Sequence, residues 1–177
     1  MFIDLLRSRR SVRKFQQRPV APEKVDLLME AALRSLSSRG FNPWSFVVVD
    51  ERERLERLSR AKPHGAAFLA NAPLAVAVCI DPQISDVWVE DAAIATTILH
   101  LAATDLGLGS CWIQLRLRDH DDTQSAGDYA AGVLELPDNL TVPAIMAIGY
   151  ADRQPAAHPR ESLQFEKVSR NRFGSRS

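Results

Sequence analysis

Only two cysteines occur in the 177-residue chain, Cys79 and Cys111, 32 positions apart and each inside an apolar run. A lone pair so placed is neither a disulfide framework nor a zinc-binding set, and both are expected as buried, reduced thiols of a cytoplasmic protein. No stretch approaches 18 apolar residues without charge, and the opening MFIDLLRSRR lacks the apolar core of a signal peptide. A membrane span and a secretory leader are therefore not expected. An excess of either charge is also missing. Lys plus Arg number 22 and Asp plus Glu number 22, so bulk electrostatic binding to nucleic acid is disfavoured. G-x-S-x-G elbows, P-loops, Cys–His pairs at recognisable spacing and internal repeats are all absent, which removes the support for nucleophilic and phosphoryl-transfer chemistry.

What is present is an ordinary globular mixture, 46% hydrophobic and 25% charged. Phe2, Ile3, Leu5 and Leu6 mark a short amphipathic helix over residues 2–9. Val25, Leu28, Met29, Ala32 and Leu36 recur at helical spacing after Pro22. Residues 45–49 read as a buried strand, 51–61 as a surface helix and 63–70 as a short helix. Residues 74–80 are apolar without alternation, as a sheet covered on both faces requires. The longest helical pattern runs from Ile84 to Leu106, apolar nearly all round and suited to burial or to a partner subunit. Gly107 and Gly109 end it. Strands over 110–117 and 141–149 flank a helix over 122–134. Residues 151–177 hold few apolar side chains and are expected to form an arm on a body made by residues 1–150. The order of elements allows α/β or α+β with four or five strands.

The balanced charge conceals an uneven one. Residues 1–20 carry six basic side chains against Asp4 alone, residues 152–177 carry six basic and three acidic, and the segment between is acidic. Within the first group, Arg9-Arg10-Ser11-Val12-Arg13 combines guanidinium forks with a hydroxyl, a donor set that suits a phosphate monoester. A solvated basic face would read the same way. Ser37-Ser38-Arg39-Gly40-Phe41-Asn42-Pro43-Trp44 could recognise a flat polar heterocycle, or be a plain loop behind a helix-ending glycine. Gly107-Leu108-Gly109-Ser110-Cys111-Trp112-Ile113-Gln114 follows a helix and precedes a strand, the reverse of a dinucleotide-binding turn. Asp119-His120-Asp121-Asp122 suits a helix cap better than a metal, and no metal is expected. His100 on the long helix reads as a satisfied core histidine.

Taken in order, these segments resemble the nitroreductase family. The likeness rests on Arg9–Phe15, Ser37-Ser38-Arg39 with Asn42–Phe46, Asn71-Ala72-Pro73, Gly107–Ile113, Ala147–Tyr150 and His158-Pro159-Arg160. It implies a three-layer α+β fold with a central, mostly antiparallel sheet of four to five strands and an extended C-terminal arm wrapping a partner subunit. It implies a homodimer with flavin mononucleotide (FMN) at the subunit interface, and NADH or NADPH as co-substrate. Position by position, Arg9, Arg10, Ser11 and Arg13 correspond to the phosphate-holding motif, joined by His158 and Arg160 of the arm. Ser37, Ser38 and Arg39 correspond to the loop that contacts the ring from the other subunit, and Trp112, Ile113 and Gln114 to the strand edging it. No catalytic side chain is implied beyond Arg39 as a charge stabiliser. The implied reaction is ping-pong transfer to an electron-poor small-molecule acceptor, a nitroaromatic or quinone. Flavin-fragmenting, dehalogenating and non-catalytic flavin-binding relatives are the alternatives. Gly40, Asn42, His158 and Gln114-Leu115 depart from the usual residues, and the short 116–122 connection implies an open pocket.

Overall fold

A computed structural model describes residues 1–175. Four strands, β1 (Trp44–Val49), β2 (Leu74–Ile80), β3 (Gly109–Gln114) and β4 (Thr141–Gly149), form one sheet in the order β1-β2-β4-β3, with every neighbouring pair antiparallel. Among the described residues five α-helices accompany it: α1 (Phe2–Ser8), α2 (Pro22–Leu33), α3 (Arg52–Leu58), α4 (Trp88–Asp105) and α5 (Ala126–Val133). This is the three-layer α+β arrangement.

The unbroken apolarity of β2 has its expected cause. Leu74, Val76, Val78 and Ile80 face a core completed by Leu28 of α2 and Ala92, Ala95 and Leu99 of α4. Ala75, Ala77 and Cys79 face the opposite core with Leu55 and Leu58 of α3 and Val133 of α5. All seven β2 residues are at most 2% exposed. Burial on both faces, rather than parallel pairing, explains the run.

Several elements are shorter than their sequence pattern. α4 begins at Trp88, not Ile84: the Asp81 carboxylate accepts the Gln83 N–H and its carbonyl the Ile84 N–H, so residues 82–84 turn, and 86–87 turn again before the helix. It ends in a left-handed cap: Gly107 has φ +70° and the Leu108 N–H donates to the Ala103 carbonyl. β3 stops at Gln114, since the N–H groups of Leu115 and Arg116 both turn to the Pro143 carbonyl. α5 starts at Ala126, capped by Ser125 on the Asp128 N–H. The Asp119–Asp122 carboxylates do not cap it directly; Asp121 instead clasps the Thr123 and Gln124 N–H groups.

The segment joining α1 to α2 crosses the end of the sheet. The Val12 N–H donates to the Ser110 carbonyl and the Gln16 N–H to that of Tyr150. Two cross-strand partners, Gly109 and Gly149, make room for it. A Cβ on Gly109 would stand 2.8 Å from Val12, and one on Gly149 would stand 2.6 Å from Pro73 and 3.0 Å from Phe15. Beyond Tyr150 the chain runs over the surface. Leu163, Phe165, Val168 and Phe173 are each more than half exposed, and the Arg10 guanidinium ties the arm through the Ala156 carbonyl.

Candidate functional site

β3 is an edge strand, and the basic segment lies along its open side. Ser11 pairs with Ser110 in a parallel bridge. The Ser110 carbonyl faces Val12 and the Gln114 carbonyl accepts from Lys62 Nζ at 2.7 Å. Alternation along the strand turns the backbone groups of Trp112, between them, to the same edge. Cys111 reports how closely charges gather here. Burial pushes its thiol up, while Arg13, the hydrogen-bonded Ser11 and Lys62 pull it down. Lys62 is itself lowered, mainly by burial and then by the Arg118 charge.

Around the corner, Arg9, His158 and Arg160 line one cavity of about 450 Å³ with Ile3, Leu6 and Leu163. Arg9, Arg10 and Ser11 are half-buried and Arg13 is exposed, its guanidinium 5.9 Å from the Phe68 ring centroid. The structure therefore brings the N-terminal and C-terminal cations together across about 150 residues of chain. The Ser11–Ser110 bridge sets them beside the β3 edge. Trp112 Nε1 donates to Gln114 Oε1 at 2.9 Å, and Gln114 Nε2 to the Arg116 carbonyl at 3.2 Å. The amide is thus oriented from both ends. Ile113 is buried against the α3–α5 core and, by the same alternation, its backbone pairs with Ile145 of β4, so it belongs to packing and to the sheet rather than to the open edge.

Ser37, Ser38 and Arg39 sit apart from this cluster. Their hydrogen bonds run within the loop and to α4: Ser37 Oγ donates to Asn42 Oδ1 at 2.7 Å and accepts the Asn42 N–H at 2.9 Å, and the Ser38 N–H donates to Asp91 Oδ1 at 2.8 Å. Three residues of the loop adopt left-handed backbone, Arg39 (φ 53°), Gly40 (φ 70°) and Asn42 (φ 49°), with Phe41 right-handed between the last two. Such geometry in non-glycine residues stores strain and holds a loop in one shape. Arg39 is exposed, 5.8 Å from the Phe41 centroid.

Three residues with roles here carried weak signals in the sequence. Asp91 is a carboxylate in an apolar phase of α4, 1% exposed, accepting Ser38 N–H and Ser85 Oγ–H. Lys62 is a single cation between Ala61 and Pro63. His100 has its core partners, but they are Arg9 and Ser110.

The donor set fits a ligand with a phosphate at one end and a flat ring at the other. Guanidinium groups and Ser11 supply charge-assisted donors for the former, and the open backbone of β3 supplies in-plane donors for the latter.

Comparison with known proteins agrees. The nitroreductase family profile matches residues 6–66 and 55–150. A protein of Archaeoglobus fulgidus, provisionally named an NADH dehydrogenase/NAD(P)H nitroreductase, is 34% identical over 152 residues, 84% of each chain. The NADPH-flavin oxidoreductase of Vibrio harveyi is 25% identical over 173 residues, covering 89% of this chain and 69% of its own. Among solved structures, an FMN-dependent nitroreductase from Clostridium difficile R20291 superposes with a TM-score of 0.95 at 43% identity, over 97% of this chain and 99% of that one.

Proposed function

The chain belongs to the nitroreductase family, and from that premise we propose that it is an FMN-dependent oxidoreductase using NADH or NADPH. The names of its relatives support this reading, and the observation that carries it is the convergence of Arg9, His158 and Arg160 on one cavity beside the β3 edge. FMN, when bound, would supply the redox chemistry that couples oxidation of NAD(P)H to reduction of an electron-poor acceptor such as a nitroaromatic or quinone.

The protein's part is binding and electrostatics. Arg9, Ser11, Arg13 and the backbone of Arg10 hold the phosphate, with Arg160 and His158 closing over it from the arm. Trp112 and Gln114 meet the ring along its edge through backbone and amide groups. Ser37, Ser38 and Arg39 approach the ring held by a second copy of the chain, where the Arg39 guanidinium stabilises negative charge as it develops. Residues 151–175 wrap that second copy, the last two residues of the 151–177 arm lying outside the described residues, and the use of NAD(P)H supports a cytoplasmic enzyme. The exposed Phe2, Ile3, Leu163, Phe165, Val168 and Phe173 support a homodimer, since they form apolar surface that one chain leaves uncovered.

Steady-state oxidation of NADH or NADPH with a quinone tests the activity: many turnovers per bound FMN are expected, and binding without turnover would overturn it. Sedimentation tests the assembly. A dimer is expected, and a monomer holding stoichiometric FMN would contradict the shared site.

A further inference from the structure

Arg9 reaches its cavity from a fixed base. Its Nη1 lies 2.8 Å from His100 Nε2. A guanidinium has donors only, so Nε2 accepts, and the ring proton resides on Nδ1. That N–H donates to Ser110 Oγ. His100 is 9% and Ser110 1% exposed, and burial, then the Arg9 charge, lowers the imidazole pKa to about 4. Ser110 is in turn fixed at its backbone, its carbonyl accepting the Val12 N–H. The chain Ser110–His100–Arg9 thus links β3, α4 and the basic segment through three side chains.

The choice of partner matters chemically. A carboxylate in place of His100 would pair with the guanidinium, cancel its charge and compete with an anionic ligand. A neutral imidazole acceptor orients the same group and leaves the full positive charge available. Arg carries large rotamer entropy, so holding it before the ligand arrives removes a cost from binding.

From this geometry we infer that His100 is a positioning residue: through Ser110 it fixes the Arg9 guanidinium toward the cofactor phosphate and so sets the preference for FMN over riboflavin, the same ring without phosphate. The inference rests on the proposed meeting of Arg9 with that phosphate. It leaves the ring contacts untouched, which makes it separable from a role in packing.

The test is fluorescence titration of the full-length apoprotein with FMN and with riboflavin. His100→Leu is expected to weaken FMN about tenfold, the worth of one charge-assisted hydrogen bond, and to leave riboflavin within about twofold. His100→Gln, whose amide can accept from Arg9, recovers most of the loss. Combined with Arg9→Gln, His100→Leu adds nothing further. Equal weakening of both flavins, unchanged FMN affinity, or additive losses in the double variant would overturn the positioning role. Ser110→Ala provides a milder arm should His100→Leu not fold: a smaller loss confined to FMN supports the role, and a loss shared by both flavins opposes it. Arg9→Gln separates the two ideas. If it leaves the FMN-to-riboflavin ratio unchanged, the phosphate placement fails and the inference with it. If it lowers the ratio while His100→Leu does not, only the positioning role fails.

Discussion

α4 holds two parts of the candidate site by two different devices. Near its start Asp91 accepts a backbone N–H from Ser38 and a hydroxyl from Ser85. Nine residues on, about 13 Å along the axis, His100 accepts from the side chain of Arg9. At the first anchor the backbone of a loop is positioned and its cation, Arg39, stays exposed. At the second the cation itself is held. The contrast follows the charge each end is proposed to meet. A phosphate carries its charge permanently and rewards a preset guanidinium. Charge on a ring comes and goes with its redox state, and a cation free to adjust serves it without trapping one form.

The largest effect is expected at the first anchor. Asp91→Leu leaves the Ser38 N–H and Ser85 hydroxyl without their acceptor and releases the strained loop, costing about 2–4 kcal/mol in denaturant unfolding. Because the loop is proposed to serve the ring, FMN and riboflavin should both weaken; a loss confined to FMN would erase the distinction between the two anchors. Next comes the glycine pair beneath the basic segment. Gly149→Ala sets a methyl 2.6 Å from Pro73 and 3.0 Å from Phe15, and overpacking of this kind costs about 1–3 kcal/mol. Unchanged stability would mean that the segment can lift without consequence.

A smaller effect concerns pH. His100 titrates near 6.5 when unfolded and at about 4 when folded, so between these values the unfolded chain takes up the proton first. Stability is fully present above about pH 6.5 and declines as pH falls toward 4. Over that window wild type should lose roughly 2–5 °C more in melting temperature than His100→Gln. Equal slopes would mean that His100 is not held neutral by burial in the folded chain. The smallest effect is at the thiols. Burial pushes Cys79 up to about 12 and raises Cys111, so neither should react with a thiol reagent at neutral pH until the protein is denatured, when two are released.

The strands and helices were legible because apolar patterning reflects burial directly. Residues 74–80 announced a strand covered on both faces, and α2 and α4 announced their apolar stripes. Antiparallel pairing was legible only through the family resemblance, and strand order not at all, since pairing β4 between β2 and β3 joins segments about 30 to 70 residues apart by contacts that no local pattern encodes. The start of α4 is not legible because apolar residues at 84 and 87 continue the helical phase, while Asp81 draws the Gln83 and Ile84 N–H groups into a turn ahead of the helix. The basic segment stood out through charge density alone. Its supports did not: His100 and Asp91 are single polar residues in an apolar helix, and their partners lie 91 and 53 positions away.

Anaerobic titration of the FMN-reconstituted protein with NADH and NADPH tests the central claim most directly. The expected result is one FMN per chain whose visible flavin absorption is bleached by one of the two nucleotides and restored by a quinone. A protein that fails to retain added FMN, or whose bound FMN neither nucleotide reduces, would contradict it.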